Sequence, residues 1–145
     1  MNFTKEYIKE CEDKRIQELK PKVEDFVMGD WFYNIAMKLN PIFIIGRKDK
    51  AWCREEIIWL PTGDQLDDEI VEICEELKYS NFSYDHIRFD FAYRRNPLPN
   101  SIDYIYSAKV SWFSKSLEDW NGIDFRCQDN PLLAKIKLLK ALLKP

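Results

Sequence analysis

Residues 83–93 read SYDHIRFDFAY, and apolar and polar side chains alternate strictly along them. The same period of two returns in residues 101–113, SIDYIYSAKVSWF, after a connection that contains two prolines. A period of two over this length predicts β-strands. Two consecutive strands joined by a loop of this size pair most simply as antiparallel neighbours. The two segments therefore predict an antiparallel pair around which the rest of the chain is arranged.

Three segments with helical periodicity accompany these strands. The first covers residues 3–20, and the second follows Thr62, which has the spacing of a capping box with Gln65. The third follows Asn130 and Pro131, a helix cap and a first-turn proline. The apolar stripes of the second and third helices consist of Leu66, Ile70, Ile73, Cys74, Leu77, Leu132, Leu133, Ile136, Leu139, Leu142 and Leu143. The remainder of the third helix is predicted to be a face of lysines, Lys135, Lys137, Lys140 and Lys144.

Shorter extended segments complete the pattern. A strand and a Gly-Asp turn are predicted within residues 23–33, a buried strand over residues 42–47, and its hairpin partner within residues 51–60. Residues 114–121 read as a turn or short helix, followed by a third short strand over residues 123–127.

The predicted fold class is α+β, with a largely antiparallel sheet packed by about three helices. The absence of a repeat, a linker or a composition break favours one domain over residues 1–145. A small amino-terminal β module within residues 20–61 is the alternative.

The composition is that of a folded domain, with 46% hydrophobic and 32% charged residues over a length of 145. Lys and Arg number 22 and Asp and Glu number 25, a net charge of −3, whereas proteins that coat nucleic acid are strongly basic. Nucleic-acid binding is therefore not expected. Four glycines argue against a glycine-rich phosphate loop, and a single histidine argues against histidine metal sites. No cofactor and no metal are predicted.

The cysteines and the amino terminus predict the compartment. Cys11, Cys53, Cys74 and Cys127 are far apart and form no C-x-x-C pair, which favours reduced thiols over a zinc site or disulfides. No signal-peptide pattern and no apolar run of membrane-spanning length is present. We expect a cytoplasmic protein that does not contact a membrane.

The acidic side chains of the second helix are a candidate for cation binding. Oxygen ligands suit Mg²⁺ or Ca²⁺, and four carboxylates lie close together, on Asp64, Asp67, Asp68 and Glu72. They lie along a helix, however, and not in a loop that can surround an ion. A solvated helix face is the favoured interpretation.

Weak catalytic candidates occupy alternate positions of the first alternating strand. His86, Arg88 and Asp90 form a row of ionisable groups, and a His/Asp pair can perform general acid–base chemistry. Cross-strand charge pairing on a solvated sheet face explains the same residues without a function.

The loop after that strand carries the ligand-binding candidates. Arg94 and Arg95 are adjacent in a proline-bearing loop between two strands, and Tyr93 precedes them. Guanidinium groups and aromatic faces together bind planar anions such as nucleotides. A loop kept soluble by its charges is the alternative. The abundance of aromatic residues, with five Trp and seven Tyr, also favours a binding surface.

Two segments of the sequence resemble a group of viral proteins. The segment Trp59-Leu60-Pro61, followed by Asp64-Gln65-Leu66, resembles a W-L-P-x-x-D-Q-L element of small bacteriophage and prophage accessory proteins. The closing helix over residues 131–142 is also similar to theirs. The resemblance implies an α/β sandwich of viral origin, made in the bacterial host cytoplasm. It implies no activity, because such proteins mostly have none assigned.

The favoured function is therefore a non-enzymatic phage or prophage accessory protein that binds a host protein or a small anionic ligand such as a nucleotide. The alternative is a small enzyme acting on a nucleotide or nucleic acid. The long alternating strands over residues 82–113 leave a sheet edge, and such edges pair with other chains. We therefore expect a homodimer or a higher symmetric oligomer.

Overall fold

A computed structural model of the chain describes residues 3–21, 29–34, 42–44, 57–90, 104–128 and 130–143. The chain forms two compact units, residues 1–65 and residues 66–145. The single-domain interpretation and the alternative of a small amino-terminal module both stay predictions. In the described part of the chain, no helix is long and apolar enough to span a membrane.

The predicted α+β class is confirmed, and the described residues form two antiparallel sheets of three strands each. The elements in chain order are α1 (Lys5–Cys11), α2 (Lys14–Gln17), β1 (Trp31–Asn34), β2 (Ile42–Ile44), β3 (Ile57–Leu60), α3 (Gly63–Glu76), β4 (Ser80–Asp90), β5 (Tyr104–Ser114), β6 (Asp119–Gln128) and α4 (Pro131–Leu142).

The first predicted helix is broken in two. Helix α1 ends at Cys11, and Asp13 caps α2 with its carboxylate, which accepts a hydrogen bond of 2.9 Å from the backbone N–H of Arg15. A capping residue adopts a non-helical backbone, and Asp13 has φ −58° and ψ 129°. The prediction of one continuous helix over residues 3–20 is therefore wrong at this point.

The sheet of the first unit has the order β2-β1-β3. Strand β1 pairs with both neighbours, and Phe32 lies opposite Phe43 on one side and Trp59 on the other. The predicted hairpin between the segments at residues 42–47 and 51–60 is wrong, because their described strands lie on opposite sides of β1. Phe32, Trp59 and Ile57 form a buried cluster.

Side-chain hydrogen bonds attach the amino-terminal helices to strand β3. Gln17 accepts a bond of 2.9 Å from the backbone N–H of Trp59 and donates to the carbonyl oxygens of Trp59 at 3.1 Å and Cys11 at 2.7 Å. The Tyr7 hydroxyl donates to the carbonyl oxygen of Pro61 at 2.5 Å. Burial of Tyr7 raises the pKa of its phenol well above the ordinary value. These bonds satisfy backbone groups that would otherwise be buried without partners.

The start of α3 confirms the predicted capping box. The backbone N–H of Thr62 donates to the Gln65 side chain at 2.9 Å, and the N–H of Gln65 donates to the Thr62 hydroxyl at 3.3 Å. Gln65 also donates to the buried carboxylate of Asp30 at 2.8 Å.

The second unit contains the strand order β4-β5-β6, and α4 packs against β5 and β6. The predicted cap of α4 is confirmed, since Asn130 accepts a bond of 3.0 Å from the N–H of Leu133. Leu77 follows the end of α3 and is 46% exposed, so its predicted place in the apolar stripe is wrong. The buried side chains of α3 and α4 include Leu66, Ile70, Ile73, Cys74, Leu133, Ile136, Leu138, Leu139 and Leu142.

Strand β6 is longer than the sequence pattern predicts. It begins at Asp119 and runs to Gln128, and the turn before it covers residues 115–118. The predicted turn or short helix over residues 114–121 is therefore wrong beyond residue 118. The β5–β6 register continues without interruption from Ser114–Asp119 to Ile105–Gln128, and these backbone pairs stabilise residues whose side chains are largely exposed.

The hydrogen bonds of Gln17 generate a stability prediction. The substitution Gln17→Ala leaves the backbone N–H and C=O of Trp59 without their side-chain partner, and we expect a loss of about 1–3 kcal/mol in the free energy of unfolding. The exposed neighbour Glu18 is the matched control, and Glu18→Ala is expected to change it by less than about 0.5 kcal/mol. Urea unfolding followed by tryptophan fluorescence measures the stability of both variants. Equal effects of the two substitutions would contradict the stabilising role of the Gln17 hydrogen bonds.

Candidate functional site

The register between β4 and β5 decides which face of the sheet carries the predicted catalytic residues. Tyr84 lies opposite Val110 and His86 lies opposite Ala108. Directly opposed residues of antiparallel strands share a face, and both Val110 and Ala108 are buried. The side chains of Tyr84, His86 and Arg88, at alternate positions of β4, therefore lie on the face that α4 covers. Ile87, between them, lies on the other face and is 50% exposed.

A cavity of about 300 Å³ lies in the second unit, between residues of β4, β5 and α4. Strand β4 contributes a histidine and an arginine, β5 a tyrosine, and the first turns of α4 a proline and a lysine. Its lining consists of His86, Ile87, Arg88, Tyr106, Ser107, Pro131 and Lys135. The side chains of His86 and Arg88 are exposed and also line this cavity, so both interpretations, a catalytic row and a solvated sheet face, stay predictions.

The carboxylate of Asp67 joins three elements beside the cavity. It accepts a hydrogen bond of 2.5 Å from the Tyr84 hydroxyl on β4 and lies 2.9 Å from the Lys135 ammonium on α4. The Nε2 atom of His86 lies 3.9 Å from the nearer carboxylate oxygen, beyond hydrogen-bond length. We call Asp67, Tyr84, His86 and Lys135 the Asp67 cluster.

Lys135 departs from its predicted position on a solvated lysine face. It is only 8% exposed, and its ammonium reaches Asp67. Burial of a charge is unfavourable unless an opposite charge and hydrogen bonds compensate it. The carboxylate of Asp67 provides that compensation, so the pair fixes α4 to α3.

Tyr84 keeps its proton to unusually high pH. Burial, together with the hydrogen bond to Asp67 and the negative charge of that carboxylate, raises the pKa of the Tyr84 phenol above its ordinary value of 10.0. The phenol therefore acts as a neutral donor, and it orients the carboxylate that faces Lys135 and His86.

Arg88 lies over an aromatic surface formed by β5. Its guanidinium carbon is 4.6 Å from the centre of the Tyr104 ring, a cation–π contact. The rings of Tyr104 and Tyr106 follow each other with centres 6.5 Å apart. This contact holds the guanidinium over the ring, and a guanidinium carries its N–H donors in a planar fork.

The remaining predicted residues lie at or beyond the limits of the described chain. The backbone of Asp90 pairs with Tyr104, but its side chain is outside the described residues. Tyr93, Arg94 and Arg95 are also outside them, so their role in ligand binding stays a prediction. Among the described residues, no group of three His, Cys, Asp or Glu side chains could hold a metal ion. Cys11, Cys74 and Cys127 are buried, and none of these three forms a disulfide.

Sequence reasoning missed the parts that tertiary structure brings together. The sequence pattern groups Asp67 with its helix neighbours as an acidic face, and it predicts Lys135 to lie among exposed lysines. The usable signal was the position of Lys135 between the buried residues Ala134 and Ile136. Nothing local in the sequence indicated its partner, which lies 68 positions away.

No family model, no curated protein and no solved structure matches this chain. The resemblance to bacteriophage accessory proteins consequently stays a prediction.

A double-mutant cycle tests the ion pair of the Asp67 cluster. Asp67→Asn and Lys135→Met are each expected to lower the free energy of unfolding by about 2–4 kcal/mol, because each leaves the other charge without its partner. The double variant is expected to lose less than the sum, with a coupling of about 1–3 kcal/mol. The control Asp68→Asn, on an exposed neighbour, is expected to have little effect. Strict additivity in urea unfolding would contradict the pairing.

The raised pKa of Tyr84 predicts a loss of stability at alkaline pH. The folded state holds the phenol proton more tightly than the unfolded chain does. The protonated phenol therefore contributes fully to the stability of the fold below about pH 10, and this contribution declines as the pH rises above that value. Between about pH 9 and pH 11, the free energy of unfolding of the wild type is expected to fall by about 1 kcal/mol more than that of Tyr84→Phe. This value allows for partial solvent screening. Urea unfolding at both pH values measures the difference, and equal slopes in the two proteins would contradict the assignment.

Proposed function

We propose that this protein binds a small anionic ligand, such as a nucleotide, in the cavity beside the Asp67 cluster. The observation that carries the proposal is the combination of cationic and aromatic groups in the lining, with Arg88, Lys135 and His86 beside Tyr106. Each of these groups comes from an element whose position is fixed by pairing or by burial. A site held in this way loses little entropy when a ligand binds.

The charges favour an anion. Arg88 and Lys135 carry two positive charges, and Asp67 offsets one of them. The start of α4 adds the positive end of a helix dipole, because Pro131 of its first turn lines the cavity. Lys135 is buried, so its charge is screened less than it would be on an open surface.

The size favours a small ligand over a protein surface. Ligand cavities begin at about 300 Å³, and this cavity has that volume. A ligand of one planar ring and one phosphate or carboxylate group fits this scale. Tyr106 offers an aromatic surface for the ring, and Arg88 offers N–H donors for the anion.

The cellular role follows from the resemblance at Trp59-Leu60-Pro61 and Asp64-Gln65-Leu66. We place the protein among accessory proteins that a bacteriophage or prophage produces in the host cytoplasm. In that setting a binding protein acts by sequestering its ligand or by reporting the ligand to a host protein.

An enzyme that acts on a nucleotide is the second candidate, and the neighbourhood of His86 favours it. The imidazole lines the cavity, and the carboxylate of Asp67 lies 3.9 Å from its Nε2. A carboxylate beside a histidine stabilises the protonated ring that forms when the histidine accepts a proton. His86 would then act as general base on a ligand bound by Arg88.

Isothermal titration calorimetry with adenosine monophosphate, adenosine and inorganic phosphate tests the binding proposal. We expect adenosine monophosphate to bind more tightly than either fragment, and Arg88→Gln to weaken it by about tenfold or more through loss of charge-assisted hydrogen bonds. Lys115→Gln is the control, since it removes one positive charge from an exposed turn of the same unit. Absence of binding by all three compounds, or equal losses in both variants, would contradict the proposal.

The same titrations separate a binding protein from an enzyme. His86→Gln keeps the size and polarity of the side chain but removes its basic nitrogen. If the protein is an enzyme, wild type converts the bound nucleotide over time and His86→Gln binds it without conversion, as followed by chromatography of the nucleotide. If the protein only binds, the nucleotide is recovered unchanged from both.

A further inference from the structure

We infer that β6 is a dimerisation edge, at which two copies of this chain pair as antiparallel strands across a two-fold axis at Phe125. The two three-stranded sheets then form one sheet of six strands. This inference does not depend on the proposed ligand.

The order of the sheet leaves β6 as an edge. Strand β5 has neighbours on both sides, whereas β6 pairs with β5 alone among the described strands. Its ten residues, Asp119–Gln128, stay in register with β5 throughout. A regular strand with one unpaired side presents a row of backbone donors and acceptors to another chain.

The other edge, β4, is less suited to pairing. Its register shifts between Ser80 and Ser83, and Asn81 adopts a left-handed φ of 52°. Irregularities of this kind twist a strand away from a partner and protect it from edge pairing. The edge predicted within residues 82–113 is present at β4, whereas β5 is central; the edge without a register shift is β6.

Symmetry restricts how two β6 strands can meet. A two-fold axis perpendicular to the sheet keeps the helix-covered faces on the same side, so each residue must oppose a residue of its own face. In a pairing centred on Phe125, each residue opposes the one equally far on the other side of the centre. Asp124 then lies opposite Arg126 of the second copy, and Arg126 lies opposite its Asp124.

The charges select this register over its neighbours. A centre one residue earlier places Asp124 opposite Asp124, and a centre one residue later places Arg126 opposite Arg126. Like charges directly opposite destabilise a strand pair, whereas opposite charges stabilise it. The Arg126 side chain is 62% exposed and the Asp124 side chain 30%, so both can reach a partner strand.

The Asp124 carboxylate is suited to the proposed ion pair with Arg126 of the second copy. Partial burial raises the pKa of its carboxyl, but hydrogen bonds from Ser107 at 2.6 Å and Arg126 at 3.1 Å outweigh that effect and lower it. The carboxylate is consequently ionised and oriented before a partner arrives.

The helix-covered face of β6 is apolar where the two strands would meet. Phe125 opposes itself in this register, and Ile123 opposes Cys127. All three share the face on which α4 packs. Pairing therefore extends the buried layer of one copy into the other, while the opposite face is joined by two ion pairs.

Charge exchange tests the register on the full chain. Light scattering across a wide concentration range is expected to show a dimer for wild type. Arg126→Asp places like charges together at both contacts and is expected to weaken dimerisation by at least about tenfold. The double variant Asp124→Arg/Arg126→Asp exchanges the charges and is expected to restore the dimer. Circular dichroism establishes that each variant is folded.

Cross-linking gives a second and independent measurement. Ile123→Cys places a thiol opposite Cys127 of the second copy, so mild oxidation is expected to give a disulfide-linked dimer with residues 123 and 127 joined, as identified by mass spectrometry. Asn121→Cys is the matched control, because it lies on the same face and opposes no cysteine.

Three results would overturn the inference. The first is a monomer mass for wild type at every concentration. The second is a dimer that folded Arg126→Asp leaves unchanged. The third is an Ile123→Cys protein that cross-links no more than the Asn121→Cys control.

Discussion

The carboxylate of Asp67 is the constraint on which the second unit depends. It lies on α3, accepts a hydrogen bond from Tyr84 of β4 and neutralises Lys135 of α4. A lysine side chain that is nine-tenths buried is tolerable only with such a partner, so α4 cannot rotate or slide on the sheet without separating the two charges. That fixed position brings the first turn of α4 next to His86, and the cavity exists because of it.

Local signals predicted the elements well, and for identifiable reasons. The alternation in residues 83–93 and 101–113 arises because successive side chains of a strand point to opposite faces. The pairs Thr62/Gln65 and Asn130/Pro131 occur where the first backbone N–H groups of a helix lack partners within the helix. These needs are met within a few residues, so the sequence alone shows them. The order β2-β1-β3 and the partner of Lys135 depend on residues far apart in the chain. The periodicity of apolar residues does not carry that information. The helix break at Asp13 is not visible in it either, because the apolar pattern of residues 3–20 continues through the break.

The face on which His86 and Arg88 lie illustrates the same limit and points to function. Taken alone, β4 would place Ile87 towards the core and its charged residues in solvent. Pairing with β5 reverses this, since Ala108 and Val110 lie opposite His86 and Tyr84. The arrangement leaves Ile87 half exposed and directs ionisable groups towards a helix, which is unfavourable for stability by itself. Departures from local preference of this kind are expected where residues are retained for binding or chemistry.

The two proposals concern different edges of the sheet in the second unit: ligand binding involves β4, and the pairing of two copies involves β6. Strand β4 supplies His86 and Arg88 to the cavity, while β6 offers a regular edge with Asp124 and Arg126 on either side of Phe125. Because β5 separates the two edge strands, a copy paired along β6 approaches from the side of the sheet away from β4. Each copy therefore keeps its own cavity, and its lining of β4, β5 and α4 residues is complete within a single chain. The proposed ligand binding therefore does not require the proposed assembly.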